Sequence, residues 1–424
     1  MTLLQPNLPA SRGEQSRFSD DELQLIEESL QYLRTFAVVA EQGSIARAAD
    51  SLYRATSAVN RSIQELEQRV GCSLFDRHAR GMLLNRMGES VLIRTRRIQE
   101  EVDQALDEML GASGKHSERQ HLNTLLLNGR KLMLLVWLAR VRQISSVARH
   151  FGMSQSGVSM FLSRFEEAVG QPLFQRMAQG LITTDRGARL VFRAKRILAE
   201  LRHIPSDLSA MHGMLTGEVT IGALPLGRTH ILPTALAKIV SLHPGIRIKT
   251  VESPYESLAA GLRSGEIDFI FGALRPADKE LAAEPLFIDE VSVVVRQGHP
   301  LLQRAALTLA DLRDMPWILS RQDSPSRQGL EISFRDIGLR PPQPSIETGD
   351  LAILRSMLLQ SDCITAISLQ QLGGELSNSA FATLPIGLEK TRRQIGITTR
   401  AGGLQSPAVS AVVEAIRQVC LTGR

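Results

Sequence analysis

Between Leu33 and Val70 the apolar residues recur three and four apart, at Leu33, Phe36, Ala37 and Ala40, then Ile45, Ala48, Ala49 and Leu52, then Val59, Ile63, Leu66 and Val70. That spacing predicts three short helices, each with one buried face. Gly43-Ser44 separates the first two, with Ser44 placed to cap the second, and Tyr53 to Ala55 separates the second from the third. A small residue at Ala49 lets two helices cross closely. The arrangement is that of a helix-turn-helix, whose third helix presents its N-terminal residues to a DNA major groove. DRHARGMLLNR, 76–86, then reads as two short strands around a turn glycine, a wing.

The same pattern occurs a second time. RATSAVNRSIQELEQRVGCSLFDR, 54–77, is matched without a gap by MSQSGVSMFLSRFEEAVGQPLFQR, 153–176, at an offset of 99 residues. Residues 33–101 and 132–200 agree at about 19 positions, among them Ile45/Ile144, Ala49/Ala148, Ser57/Ser156, Val59/Val158, Glu67/Glu166, Gly81/Gly180 and Gly88/Gly187. A gapless match of that length indicates a duplicated folding unit. The second wing is QRMAQGLITTD, 175–185. A longer helix follows each wing. In the second copy Leu190, Ala194, Ile197, Leu201, Ile204, Leu208 and Met211 keep a 4,3 spacing, a coiled-coil seam in which Pro205 predicts a kink. The first copy carries Val91, Thr95, Ile98, Val102, Ala105 and Met109, a weaker seam of the same period.

From Glu218 onward strand-length apolar runs alternate with helices, which predicts parallel sheets covered on both sides and folded as two lobes. The expected crossover lies near Gln297 and the return near Ile395. This gives a first lobe of residues 218–296 and 395–424 and a second of 297–394. The domain plan is then an arm at 1–28, a first winged unit with its linker helix at 29–110, a polar Gly/Ser-rich linker at 111–123, a second winged unit at 124–213 and the bilobed domain at 214–424. Ligands in such sheets bind beyond the carboxyl ends of strands. That rule selects Pro225, Leu226, Thr229, Ser253, Tyr255, Ser320, Arg321 and Thr348, with Arg321 or Arg228 to pair a carboxylate.

Charge adds a partner. The net charge is +5, yet residues 30–99 hold 11 Lys/Arg against 6 Asp/Glu and residues 130–203 hold 13 against 4. A basic half tied to an acidic remainder points to a polyanion at one end only. Three cysteines, Cys72, Cys363 and Cys420, form no disulfide framework and fit a reducing, cytoplasmic setting. The N-terminus has no secretory pattern, and no apolar run reaches the roughly 20 residues of a membrane helix. No Gly-rich phosphate loop, zinc spacing or nucleophile–base motif is present, so neither an enzyme nor a metal or cofactor is expected.

The string Ala-Ala-x-x-Leu, Ser-Ala-Val, Leu66-Glu67, Val-Gly-x-x-Leu-Phe-x-Arg and Gly88 resembles the LysR-type transcriptional regulators. The second copy repeats it from Met153 through Phe165-Glu166 to Gly187. The resemblance continues through the C-terminal half. It implies a multidomain chain: two all-α winged helix-turn-helix domains with linker helices, then an α/β bilobed, periplasmic-binding-protein-like (type 2) effector domain. The tandem arrangement departs from the family, whose members usually carry one helix-turn-helix. In the family a Ser or Thr caps the recognition helix and Gln follows. Ser154-Gln155 keeps both, whereas the first copy has Ala55-Thr56.

The DNA-facing candidates are Ser44, Arg54, Thr56, Ser57, Asn60, Arg61 and Gln64 with the wing residues Arg77, Arg80 and Arg86. In the second copy they are Ser154, Gln155, Ser156, Ser159, Ser163 and Arg176. Met160 and Phe161 sit where a base-reading face should be polar, and either meet thymine methyls or pack against another helix. The expected partners are double-stranded DNA, a small effector of the sugar or aromatic-acid kind, RNA polymerase and further copies of the chain. Because the family dimerises through antiparallel linker helices, two copies in one chain could form that pair internally. The alternative is a DNA-binding assembly protein in which one copy touches DNA and the other mediates packing.

Overall fold

The computed structural model describes residues 20–78, 81–111, 114–178, 180–276, 278–373 and 380–422, and for residues 20–28 and 77 the backbone only. They fall into two compact units divided at Ile204/Pro205.

In the first unit α1 (Asp20–Gln42), α2 (Ile45–Ser51), α3 (Thr56–Val70), the hairpin β1 (Phe75–His78) with β2 (Gly81–Leu84), and α4 (Arg86–Leu110) make one winged head. After α5 (His116–Leu126), the order repeats as α6 (Gly129–Val141), α7 (Ile144–His150), α8 (Gln155–Val169), β3 (Phe174–Met177), β4 (Gly180–Thr183) and α9 (Asp185–Met211), a second head. The repeated residues hold equivalent joints. Glu67 accepts the Leu74 N–H at 2.8 Å, as Glu166 accepts that of Leu173 at 2.8 Å. A Cβ on Gly88 would lie 2.1 Å from the Leu74 carbonyl oxygen, and one on Gly187 1.9 Å from that of Leu173. Each linker helix therefore starts against the loop that precedes its wing, and only glycine fits.

In the first unit two boundaries differ from expectation. Helix α1 begins at Asp20, inside the expected arm, and most of the expected polar linker 111–123 is the start of α5. The Glu118 carboxylate accepts the Lys115 N–H at 3.1 Å and fixes that helix start. Pro205 lies within α9 without ending it.

The second unit holds two five-stranded sheets. Strands β5 (Gly217–Ala223), β6 (Ile246–Val251), β7 (Phe269–Ala273) and β8 (Leu281–Asp289) belong to the first sheet, with α10 (Ile231–Leu242) and α11 (Tyr255–Ser264) between them. The second sheet takes β9 (Val291–Arg296), β10 (Trp317–Leu319), β11 (Pro344–Glu347), β12 (Ile364–Ser368) and β13 (Phe381–Thr383), with α12 (Pro325–Asp336) and α13 (Leu351–Gln360). Strand β14 (Arg393–Arg400) returns to the first sheet, and α14 (Pro407–Thr422) covers it.

The orders are β6-β5-β7-β14-β8 and β11-β10-β12-β9-β13. Both sheets are mixed, not parallel throughout: β14 runs antiparallel to β7 and β8, and β9 antiparallel to β12 and β13. The chain changes lobe at Asp289–Val291 and returns at Arg393, so β9 belongs to the second lobe and not, as its position in sequence suggested, to the first. Each lobe has its own core, Phe269, Phe271 and Ile397 in one and Trp317, Phe334 and Val293 in the other.

Candidate nucleic-acid interface and effector cleft

The N-terminal turns of α3 and α8 lie at the surface. Thr56, Ser57, Arg61 and Gln64 are exposed and Asn60 is half-buried; in the second head Gln155, Ser156 and Ser163 are exposed and Ser159 is half-buried. Ser154 caps α8 by accepting the Gly157 N–H at 3.0 Å, while Ala55 leaves α3 without a side-chain cap, and Thr56 does not replace it. The reverse holds one helix earlier, where Ser44 caps α2 but Gln143 gives α7 no such bond. Arg54 is exposed and donates to Thr35 Oγ1 at 3.3 Å, which ties it to α1. Arg86 and Arg176 are exposed beside their wings. Arg80 and the side chain of Arg77 lie outside the described residues.

Phe161 and Met160 divide the two roles considered for them. Phe161 is buried and meets Phe165 edge-on at 5.2 Å, on a helix that packs against α5. Met160, 56% exposed, stays on the surface.

Two residues escaped the sequence reading. Among the described residues only Tyr53 and Arg142 hold a positive φ without being glycine, at 51° and 61°. At the offset of 99 their counterparts are Gly152 and Gly43, with φ of 61° and 60°. Each head thus keeps an exposed side chain at one strained corner where the other head uses glycine.

The linker helices are joined by ion pairs that follow the duplication. Arg94 Nη1 and Arg97 Nε donate to Glu200 at 2.7 and 2.9 Å. Arg193 Nη1 and Arg196 Nη2 donate to Glu101 at 2.8 and 2.5 Å. Arg94/Arg193, Arg97/Arg196 and Glu101/Glu200 are each 99 residues apart, so the contact is reciprocal, as across a two-fold axis. Arg193 also meets Glu108, and Arg186 donates to the Met109 carbonyl at 2.7 Å. Partners on α9 fall in number as those on α4 rise, so the helices run antiparallel. Arg94 is 1% exposed and Glu200 3%. Burial alone would raise the Glu200 carboxyl, but Arg94 and Arg97 overcome it and hold it down to about 2. The expected seam residues Val91, Ile98, Val102, Leu190, Ile197 and Leu201 are buried.

The cleft of the second unit holds about 100 Å³, with Pro225, Leu226, Ser320 and Thr348 among its walls. Four other expected residues lie elsewhere. Tyr255 is buried and carries the Arg275 guanidinium on its ring at 4.7 Å. Thr229 Oγ1 donates to backbone carbonyls of Leu226 and Gln370. Ser253 and the exposed Arg321 are not part of the wall.

The arginines that line the cleft are Arg275 and Arg393; Arg228 lies beside it and donates to the carbonyl of the wall residue Gly349 at 3.3 Å. Arg393 donates to Asp289 at 2.8 Å, and Ser368 Oγ donates to the same carboxylate at 2.6 Å, a joint between the two strands that cross from lobe to lobe. Burial pushes the Asp289 carboxyl up and the Arg393 guanidinium down. The Arg393 Nε–H is buried without an acceptor. Ser320, Ser324 and Ser326 gather their hydroxyls at the N-terminus of α12, another donor set for an anion.

Winged helix-turn-helix heads in one chain with a two-lobed fold, whose cleft has a largely apolar wall and two arginines, are the parts of a DNA-binding protein with an effector domain. The profile of the bacterial regulatory helix-turn-helix protein, lysR family, matches residues 30–89 and again 130–188, and that of the LysR substrate binding domain matches 212–421. The chain is 44% identical to the HTH-type transcriptional regulator GalR of Pseudomonas putida over 393 residues, 92% of this chain and 97% of that one. That span is too long to leave out either head. The HTH-type transcriptional regulator PcaQ of Agrobacterium fabrum is 27% identical over 68% of this chain and 94% of its own. Two solved structures share the fold: a full-length variant of OxyR from Pseudomonas aeruginosa, with a TM-score of 0.52 at 19% identity over 68% of this chain and 96% of that one, and full-length CbnR complexed with its target DNA, with 0.50 at 17% over 68% and 99%. The chain belongs to the LysR family of DNA-binding transcriptional regulators with an effector-binding domain. Among the described residues no helix is long and apolar enough to cross a membrane.

Proposed function

We propose that each chain carries two DNA-reading heads clamped as an intrachain pseudo-dimer, and that a small organic anion in the cleft governs them. The observation that carries this reading is the reciprocal set of ion pairs, Arg94 and Arg97 on Glu200, Arg193 and Arg196 on Glu101. An interface between two copies of one sequence places residue i against j and j against i. Here both copies lie in the same polypeptide, so one chain supplies what elsewhere takes two.

The heads read unequal half-sites. Arg61 and Gln64 offer donors and acceptors to base edges, whereas the matching Met160 and Ser163 offer an apolar contact and a short hydroxyl. Phosphate contacts supply affinity, and among them we place Arg142 and Tyr53, exposed at the strained corner of each head. In the cleft, the acceptor-free Nε–H of Arg393, the guanidinium of Arg275 and the hydroxyls of Ser320, Ser324 and Ser326 favour a carboxylate-bearing effector over a neutral sugar. Effector binding biases the arrangement of the lobes, and through it the bound DNA. Higher assembly would proceed through surfaces other than α4 and α9.

The experiment is footprinting on the region beside the protein's own gene with two variants, Arg61→Ala with Gln64→Ala, and Gln155→Ala with Ser159→Ala. Loss of a different protected segment by each supports two reading heads. Loss with the first pair alone makes the second head an assembly surface.

A further inference from the structure

The second head contains a cavity of about 460 Å³ beside its recognition helix, walled by α5, α6 and α8. Its floor is apolar, with Leu125, Leu134 and Phe161 buried and Met153 and Met160 at the edge. Its mouth carries Arg130, Lys131 and Arg164. Arg130 donates to the Phe151 carbonyl at 3.1 Å, and among the described residues neither Lys131 nor Arg164 has a carboxylate partner. Burial pushes the Lys131 ammonium down, and the neighbouring Arg164 pushes it further.

The first head supplies an internal control. At the offset of 99, Met153 and Leu134 correspond to Arg54 and Thr35, a hydrogen-bonded polar pair at 3.3 Å. Arg164 corresponds to Glu65, which lies 3.8 Å from both Arg61 and Arg69. Lys131 corresponds to Tyr32, whose ring takes the Arg69 guanidinium at 5.5 Å. The first head therefore sets a carboxylate among its cations on this face. In the second, the acid's place holds a cation and the polar pair's place an apolar floor, which leaves Lys131 and Arg164 together on the wall of an apolar hollow. Such a combination is unfavourable when empty and favourable when an anion with an apolar body occupies it.

We propose that this cavity is a ligand site for an aromatic carboxylate, separate from the cleft between the lobes. The ring lies on Phe161, Leu134 and Met153, and the carboxylate meets Lys131 and Arg164. A bare phosphate, including one from DNA, would satisfy the cations but leave the hollow unfilled. Because Met160 is at once a wall of the cavity and exposed on the recognition helix, the site gives the second head a chemical input of its own. The binding claim does not depend on whether α8 reads DNA.

The test uses the full chain with ¹³C-methyl methionine, Met153 and Met160 being assigned through Met→Leu variants, and titrates benzoate, benzyl alcohol and inorganic phosphate. Saturable movement of both methyls with benzoate alone is the expected result. It should weaken roughly tenfold or more in Arg164→Glu, which installs the first head's acid, and persist in Arg164→Lys. It should also persist in Arg275→Met, which disables the cleft, so a failure of the cleft reading does not touch this one. Trp137 fluorescence checks that each variant is folded. The proposal is overturned if the methyls stay still, if benzyl alcohol moves them equally, if phosphate moves them and benzoate does not, or if the response vanishes in Arg275→Met but survives in Arg164→Glu.

Discussion

Arg94 bonds Glu200, and Arg193, its counterpart 99 residues later, bonds the matching Glu101. The pairing makes Glu200 a keystone, since the almost wholly buried Arg94 and the half-buried Arg97 both donate to it. Removing one partner of a buried ion pair costs about 3–5 kcal/mol. Glu200→Ala should lower the stability of the first unit by about that amount. Trp137 fluorescence follows it in thermal or urea unfolding, and Trp317 reports the second unit.

The same pair predicts an acid dependence. The Glu200 carboxyl is held at about 2, well below the ordinary 4.5 it regains on unfolding. Its contribution is therefore complete above pH about 4.5 and lost as pH falls toward 2, on the order of 3 kcal/mol in all. Stability of the first unit should fall through that window, and Glu200→Gln, already destabilised, should show a shallower fall.

Tyr53 and Arg142 predict effects of opposite sign. Replacement by the glycine that the other head uses relieves a strained backbone, so Tyr53→Gly and Arg142→Gly should each raise stability by roughly 0.5–1 kcal/mol. Both should weaken DNA binding, and Arg142→Gly should reduce the slope of log K against log salt by about one phosphate contact. Thermal unfolding and binding across a salt series read the two effects separately. Unchanged DNA affinity would remove these corners from the interface.

At the crossing of the lobes, Arg393 holds Asp289 and keeps one buried N–H without an acceptor. Arg275→Met leaves that joint whole while removing the second cation of the cleft, so it should preserve Trp317 unfolding and weaken a carboxylate effector about tenfold or more. Calorimetric titration measures the loss. Asp289→Asn should act differently, destabilising the second unit because Arg393 is left buried without its counter-charge.

The elements that periodicity governs were legible in the sequence: both helix-turn-helix units, both wings and the two lobes. The joints that periodicity does not govern were missed. Arg94, Arg97 and Glu101 are identical in both copies, but charges on a helix ordinarily mark a solvated face, and only the three-dimensional pairing reveals Arg94 and Glu101 as buried and Arg97 as their half-buried neighbour. Helix α5 was hidden by Gly/Ser-rich composition, and its cap residue Lys115 offers no side-chain acceptor that would have marked the helix start; only Glu118, bonding back to the Lys115 N–H, fixes it.

Arg275 lies just beyond the end of β7, where the strand-end rule points, and was passed over for Arg321. Arg393 had no such signal. It begins an antiparallel return strand, so its N-terminal end, not its carboxyl end, reaches the cleft.

The claim that one chain forms its own pseudo-dimer is tested most directly by cross-linking α4 to α9. Gln104 contacts Arg193, and Arg189 lies one turn away on the same face of α9, both positions exposed. The full chain would carry Gln104→Cys and Arg189→Cys, with Cys72 replaced by serine and the buried Cys363 and Cys420 by alanine. After treatment with a short bismaleimide, intact mass and a denaturing gel identify the product. Internal pairing predicts a cross-linked single chain near 46.7 kDa at every protein concentration. A covalent two-chain product in its place would show that the linker helices pair between chains and would contradict the account.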